Sequence, residues 1–292
     1  MRVLCIVDSY RWALYNRAIN LKKHFQNYNF DIIHFEKIES VNFNNYDVIY
    51  ILNWPIWPFV KHKVSRSRRY RLVTTVCSHV GRSHARDMGR IFNNFDKIST
   101  SNDFLYEEFK PVYKSKVINA PFGVDGDLFV KKTMPSNYNY IFGWVGNPDR
   151  SVKRFNDIKE VFGNLGDKYR LKVATNKSRF GRAKMVDFYN SVGTVICFSD
   201  SEGTPNPMLE AAACGRAIIS TRVGCVPSLC KGLGVNIFVK NASDLKSKII
   251  SYSASPKGIN LIGSSLDKIA HDEWSWRDRA VEFDKLFKGG RT

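Results

Sequence analysis

Ser199-Asp200-Ser201-Glu202-Gly203-Thr204-Pro205-Asn206-Pro207-Met208-Leu209-Glu210-Ala211 is the stretch that decides how this chain is built. It follows Thr194 to Ser199, which reads as a short buried strand. Pro207 disfavours helical geometry at Asn206 and itself suits a first helical position. Asn206 suits the N-cap, so a helix is expected to start at Pro207. Such a start presents backbone N–H groups and the positive end of the helix dipole, which together favour an anion. Gly203 allows backbone to approach a ligand closely. Glu202 precedes the helix and Glu210 lies about one turn inside it. Two carboxylates flanking an anion-binding helix start can accept hydrogen bonds from the hydroxyls of a sugar and a ribose. Spacing alone equally allows two surface carboxylates with local capping roles.

Outward from this stretch, strand and helix signals alternate. Upstream, Arg2 to Val7, Asp31 to Phe35, Asp47 to Leu52, Arg71 to Val76, Lys97 to Thr100 and Lys116 to Asn119 read as strands. Trp12 to Phe25 carries apolar residues at helical spacing. After a polar segment, Lys131 to Asn139, the pattern restarts: strands at Tyr140 to Val145, Arg170 to Thr175, Thr194 to Ser199, Arg216 to Ser220 and Val235 to Val239. Helices are expected at Lys153 to Asn164, Lys184 to Ser191, Ala242 to Tyr252, and from Glu273 through Phe287. The fold class is therefore α/β, with two doubly wound halves in succession. In such sheets ligands bind outside the carboxyl ends of the strands, and a cleft between two halves is the default site.

The stretch resembles the nucleotide-sugar motif of retaining glycosyltransferases of family 4, through Ser199, Glu202, Gly203, Glu210, Ala211, Ala213 and Gly215. Ala120-Pro121-Phe122-Gly123-Val124-Asp125…Phe129 is similar to that family's interdomain segment. Phe142-Gly143-Trp144-Val145-Gly146-Asn147…Lys153 is similar to its phosphate-binding loop, Val223-Gly224-Cys225 to its Gly-Gly turn, and Glu273-Trp274-Ser275-Trp276 to its C-terminal crossing. The resemblance implies the GT-B fold: two facing Rossmann-like domains, an acceptor-side domain over 1–130, a nucleotide-sugar domain over 131–272, and a crossover helix over 273–292. It implies that Glu210 binds the nucleotide ribose and Glu202 the sugar hydroxyls. Backbone from Gly203 through Thr204, Asn206, Met208 and Leu209 receives sugar and phosphates. Lys153 falls on the family's phosphate-binding lysine. The arginine that normally follows Gly146 is replaced by Asn147, with Arg150 as the substitute cation. His79 is the candidate histidine beside the transferred sugar, with His84 as a rival. The glycine-rich loop that many members carry after the first strand is replaced by Asp8-Ser9-Tyr10-Arg11-Trp12. The implied reaction moves a sugar from a nucleotide sugar to an acceptor hydroxyl with retention, in glycan, glycolipid or polysaccharide synthesis, with no cofactor and no metal.

Composition narrows the alternatives. With 292 residues and 43% hydrophobic content the chain has material for about two cores. The net charge of +18 favours anionic partners. Residues 61–90 hold nine Lys or Arg against one acid, Asp87, just after Trp54-Pro55-Ile56-Trp57-Pro58-Phe59. That pairing suits an anionic membrane surface through 54–90, or else a solvated loop beside a partly buried tryptophan pair. Nucleic acid is disfavoured for want of a recognisable motif. The six cysteines form no Cys-x-x-Cys pair and read as reduced core residues. No apolar run reaches a membrane span, and the first seven residues read as a core strand rather than a leader, so a cytoplasmic location is expected, peripheral on the membrane's cytoplasmic face. Two rivals stay open: a nucleotide-sugar epimerase on the same architecture, and a basic membrane- or nucleic-acid-binding module.

Overall fold

The computed structural model describes residues 1–10, 13–64, 67, 69–78, 84–178 and 180–289. The chain divides into two compact units, Met1–Phe122 with Trp276–Thr292, and Gly123–Ser275. It passes from one to the other at 122/123 and 275/276, a few residues from the 130/131 and 272/273 boundaries read from sequence. Lys131 to Asn139 lies within the second unit, where Lys132 N–H donates to Asn190 Oδ1 at 2.7 Å.

In the first unit the elements run β1 (Arg2–Val7), α1 (Ala13–His24), β2 (Asn29–His34), β3 (Val48–Ile51), α2 (Trp57–Val60), β4 (Arg71–Val76), α3 (Gly89–Phe92), β5 (Lys97–Thr100), α4 (Asp103–Tyr113) and β6 (Val117–Asn119). The six strands form one parallel sheet in the order β2-β1-β3-β4-β5-β6. Every residue of β3 and β5 is buried, as strands covered on both faces require.

The second unit holds β7 (Ile141–Gly146), α5 (Phe155–Gly163), β8 (Arg170–Thr175), α6 (Arg182–Asn190), β9 (Thr194–Cys197), α7 (Asn206–Ala213), β10 (Ala217–Ser220), α8 (Val226–Leu229), α9 (Ala242–Ser253) and α10 (Pro256–Glu273). Its four strands are parallel in the order β10-β9-β7-β8. The strand order reverses between β7 and β9, which makes their carboxyl ends the topological switch point. A last helix, α11 (Ala280–Lys288), belongs to the first unit and buries Phe283, Leu286 and Phe287 in its core.

Three readings are corrected. The segment Val235 to Val239 is no strand: it makes a single bridge from Phe238 to Ser220. Gly232 and Gly234, at φ +87° and +68°, turn the chain just before it and leave Val235 exposed. The 18-residue α10 was not anticipated. Its Ser255 cap and Pro256 start were visible, but Gly258 and Gly263 broke the apolar pattern. Gly263 is there for contact: a Cβ would lie 2.3 Å from the Gly215 carbonyl oxygen. The final helix starts at Ala280 rather than Glu273, because Trp274 is packed in the second unit's core and Trp276 in the first's.

The aromatic run beside the basic cluster is also resolved. Trp54 and Trp57 are buried, and Trp57 packs edge-on against Phe95 at 5.1 Å. Phe59 stays 59% exposed. Of the adjacent cations, Lys63 pairs with Glu39 at 3.1 Å; Arg66 and Arg68 lie outside the described residues. Among the described residues no helix is long and apolar enough to cross a membrane. All six cysteines are buried and none forms a disulfide, and burial pushes the Cys214 and Cys230 thiols up to about 12.

Candidate functional site

The loops leaving β7 and β9 are stitched together. After Gly146, the Asn147 side chain accepts from the Asp149 N–H at 3.1 Å and closes a turn. A short helical turn over Ser151–Lys153 follows, and Arg154 adopts φ +48°, a left-handed conformation uncommon outside glycine. Its guanidinium sits 4.1 Å from the Phe198 ring centroid and donates to Asp157 Oδ2 at 2.9 Å. Arg154 is thereby fixed within the protein. Arg150 is exposed, and no ion pair is seen for it among the described residues.

From the other side, Asp200 N–H donates to the Val152 carbonyl at 2.9 Å, joining the two loops. Thr221 Oγ1 donates to the Ser199 carbonyl at 2.6 Å. Ser199, itself buried, turns its hydroxyl to Glu202 Oε1 at 2.7 Å. Lys153 Nζ pairs with the same carboxylate oxygen. Both side chains are 11–15% exposed, so the pair is shielded from bulk screening yet open to a ligand. Lys153 and Glu202, 49 positions apart, thus meet where the sheet order reverses.

Helix α7 begins at Asn206, one residue earlier than read, with Pro205 as its cap residue. Gly203 and Thr204 are buried in the loop before it. Met208 and Leu209 bury their side chains in the second unit's core, so only their backbone is available to a ligand, and Met208 N–H already donates to Pro205 O at 2.8 Å. The turn at Val223-Gly224-Cys225 supports the loop from behind. Gly224 has φ +56°, and a Cβ there would stand 2.4 Å from Gly203 O and 2.9 Å from Pro205 Cδ. Glycine is therefore required on two counts, conformation and space.

Glu210 has a different set of partners. Tyr189, fully buried on α6, donates its hydroxyl to Glu210 Oε2 at 2.6 Å. Burial pushes the Glu210 carboxyl above the ordinary carboxylate range, while the Tyr189 hydrogen bond and the nearby Arg182 charge pull it back. Arg182 is itself anchored to the buried Asp125 at 3.0 Å. The sequence reading missed Tyr189 and Arg182. They stand seven residues apart on one helix, the only local signal they offer.

In the first unit His79 lies outside the described residues. Cys77, two positions earlier, closes β4 and is buried, with its sulfur 3.2 Å from Arg17 Nη1. His84 is largely exposed, 3.9 Å from Glu108.

Residues 140–254 match the family model for glycosyl transferases group 1. No curated protein matches the chain. Among solved structures it is similar to sucrose-phosphate synthase from Thermosynechococcus elongatus, with a TM-score of 0.77 at 13% identity over 98% of both chains. It is equally similar to HepE of Anabaena in complex with UDP, with a TM-score of 0.77 at 12% identity over 99% of this chain and 100% of that one. A glycosyltransferase from Rickettsia africae gives 0.69 at 15% identity over 99% of both chains. The loops that carry Lys153, Glu202 and Glu210 thus lie within the stretch that matches the glycosyl transferases group 1 model, in a chain whose two parallel sheets match the GT-B glycosyltransferase fold.

Proposed function

We propose that the chain transfers a sugar from a nucleoside diphosphate sugar to an acceptor hydroxyl, with retention at the anomeric carbon. The observation that carries this reading is the meeting of Lys153, Ser199 and Glu202 at the β7/β9 switch point, directly before α7. An arriving diphosphate competes with Glu202 for the Lys153 ammonium. Lys153 then neutralises charge that builds on the leaving nucleoside diphosphate, a form of electrostatic catalysis. Glu202, released from Lys153 and oriented by Ser199, accepts hydrogen bonds from the sugar hydroxyls. Glu210 keeps Oε2 on Tyr189 and offers Oε1 to the ribose. Arg150, unlike Arg154, is available as the second phosphate cation in place of the arginine absent at Asn147. With that charge supplied by side chains and the helix start, turnover is expected without a divalent metal or a cofactor. His79 remains the candidate beside the transferred sugar.

HepE has been solved with UDP, with UDP and glucose, and with UDP-glucose, so a uridine nucleotide is the first donor to test. The acceptor we favour is a glycan or lipid-linked glycan on the cytoplasmic face of a membrane, which exposed Phe59, Lys61 and Lys63 support. Co-sedimentation with anionic vesicles, unchanged in a Phe59→Ser/Lys61→Glu/Lys63→Glu variant, would remove that support.

Thermal denaturation with UDP, GDP, ADP, dTDP and CMP, with and without EDTA, tests the donor site. One nucleotide at about 100 times its Kd adds roughly 2.7 kcal/mol, a shift of several degrees in a chain this size. The shift should fall to about half or less in Glu210→Gln. No shift with any nucleotide overturns the donor-site assignment. Proton NMR of the product then reports the anomeric configuration.

A further inference from the structure

The carboxyl edge of the second sheet extends past the site just described. β10 is its edge strand, and the parallel bridge from Ser220 to Phe238 lays a further stub beside it. Val239 N–H donates to Ser220 O at 2.9 Å and holds that stub in register. Two residues beyond the bridge, on the respective segments, stand Arg222 and Lys240. With Phe238 and with Lys248 of α9 they line a cavity of about 490 Å³, a volume typical of small-ligand pockets. Its position, outside the carboxyl end of a parallel pair, is where such sheets bind ligands.

The charges in this cavity are not balanced by the protein. Arg222 sits over Phe238, its guanidinium carbon 4.4 Å from the ring centroid. Lys248 Nζ gives one hydrogen bond, to Asn236 O at 2.7 Å, which leaves two N–H donors unused by it. Asp244 is the carboxylate on the wall, and it is committed to the start of α9: it accepts the Lys240 backbone N–H at 3.0 Å, while Asn241 caps its own N–H at 2.9 Å. No ion pair joins it to Arg222, Lys240 or Lys248 among the described residues. Ser251 adds a hydroxyl to the lining. Three cations, one of them able to bind a phosphate through two parallel N–H bonds, therefore face one shared space.

We infer that this pocket binds a small phosphorylated ligand through Arg222, Lys240 and Lys248. The ligand is separate from the donor, whose phosphates are assigned to the loops at Lys153 and Gly203. The pocket is nonetheless mechanically close to them: Arg222 stands two residues before Gly224, whose Cα abuts the Gly203 carbonyl. The inference does not depend on glycosyl transfer.

The test is calorimetric titration of the full chain with inorganic phosphate and with a hexose 6-phosphate, at ionic strength held constant with sodium chloride. Saturable binding is expected in the wild type. Arg222→Ala/Lys248→Ala should raise Kd at least tenfold, while the charge-matched surface pair Lys257→Ala/Lys285→Ala and the donor-loop variant Lys153→Ala should not. Tighter binding of the hexose phosphate identifies a phosphorylated sugar as the ligand; equal binding identifies phosphate itself. Absence of saturable binding, equal loss in the surface pair, or loss confined to Lys153→Ala overturns the inference. The last result would place the phosphate in the β7 loop and leave the donor-site reading intact.

Discussion

The two units share the order of their first four strands and fill it differently. In each, the first strand lies between the second and the third, so each has a switch point at its carboxyl edge. In the second unit that edge is polar: Lys153, Ser199, Glu202 and Thr221 form one connected network. In the first unit a cation also sits near the strand ends, but it is sealed. Arg17 is 7% exposed, lies 3.7 Å from the centroid of the Phe122 ring and reaches the Cys77 sulfur. Topology supplies a crevice in both cases. The proposed anion site is the one whose cation meets a displaceable carboxylate; in the other a ring covers the cation.

The largest expected effect tests the polar edge. Lys153→Ala leaves the largely buried Glu202 without its cation and removes the charge proposed to face the leaving group. Turnover should fall by about 10²- to 10³-fold, read as kcat/KM for donor. The double variant Lys153→Ala/Glu202→Ala should lose far less than the product of the two single losses, because the residues act as a pair. Strictly multiplicative losses would mean that they act independently.

Next in size is Glu210→Gln, expected to weaken nucleotide binding about 10- to 100-fold through loss of a charged acceptor, with kcat less affected. Titration calorimetry with the nucleotide found by denaturation checks it.

Gly224→Ala forces a side chain against Gly203 O at a left-handed backbone position. Strain of about 1–2 kcal/mol should lower Tm by a few degrees and raise the donor KM. If Tm falls while KM holds, the turn supports only the fold.

Arg17→Met sharpens the contrast from the other side. Replacing a buried cation that has no ion pair among the described residues by an apolar chain of similar length should leave stability within about 1 kcal/mol or raise it, with donor KM unchanged. A loss of turnover at unchanged stability would give Arg17 a role in binding.

The smallest effect concerns pH. Burial raises the Glu210 pKa above its ordinary 4.5. Between 4.5 and the raised folded value, the native state holds more protons than the unfolded one. Its stability therefore declines as pH rises through that window. Glu210→Gln should abolish that decline in chemical denaturation curves taken across it. Tyr189→Phe, which removes a hydrogen bond that favours the carboxylate, should move the acid limb of nucleotide binding to higher pH. An unmoved limb would make Tyr189 a packing residue alone.

Local pattern carried most of the fold. Arg2–Val7, Arg71–Val76 and Lys97–Thr100 were legible to the residue as short buried strands, and so was the half-exposed edge strand Arg170–Thr175, where Leu171 and Val173 alternate with Arg170 and Lys172. Helix α10 was obscured because Gly263 serves a neighbour's backbone, and a sequence does not show its neighbours. Trp54 and Trp57 looked interfacial beside a basic run; burial against Phe92 and Phe95 decided otherwise.

At the candidate site the division is similar. Glu202, Gly203, Glu210 and Lys153 could be named from the chain alone, because helix starts, proline positions and carboxylate spacing are local properties and because their frame resembles a known family. That Lys153 and Ser199 share one carboxylate oxygen of Glu202 could not, since parallel strands β7 and β9 bring together loops whose Lys153 and Glu202 are 49 positions apart. Nor could the anchoring of Glu210 by Tyr189, the capture of Arg154 by Phe198 and Asp157, or the gathering of cations around Phe238. A side chain's charge is written in its identity. Its partner is set by which strands pair and which surfaces they bury, and those are properties of the folded chain as a whole.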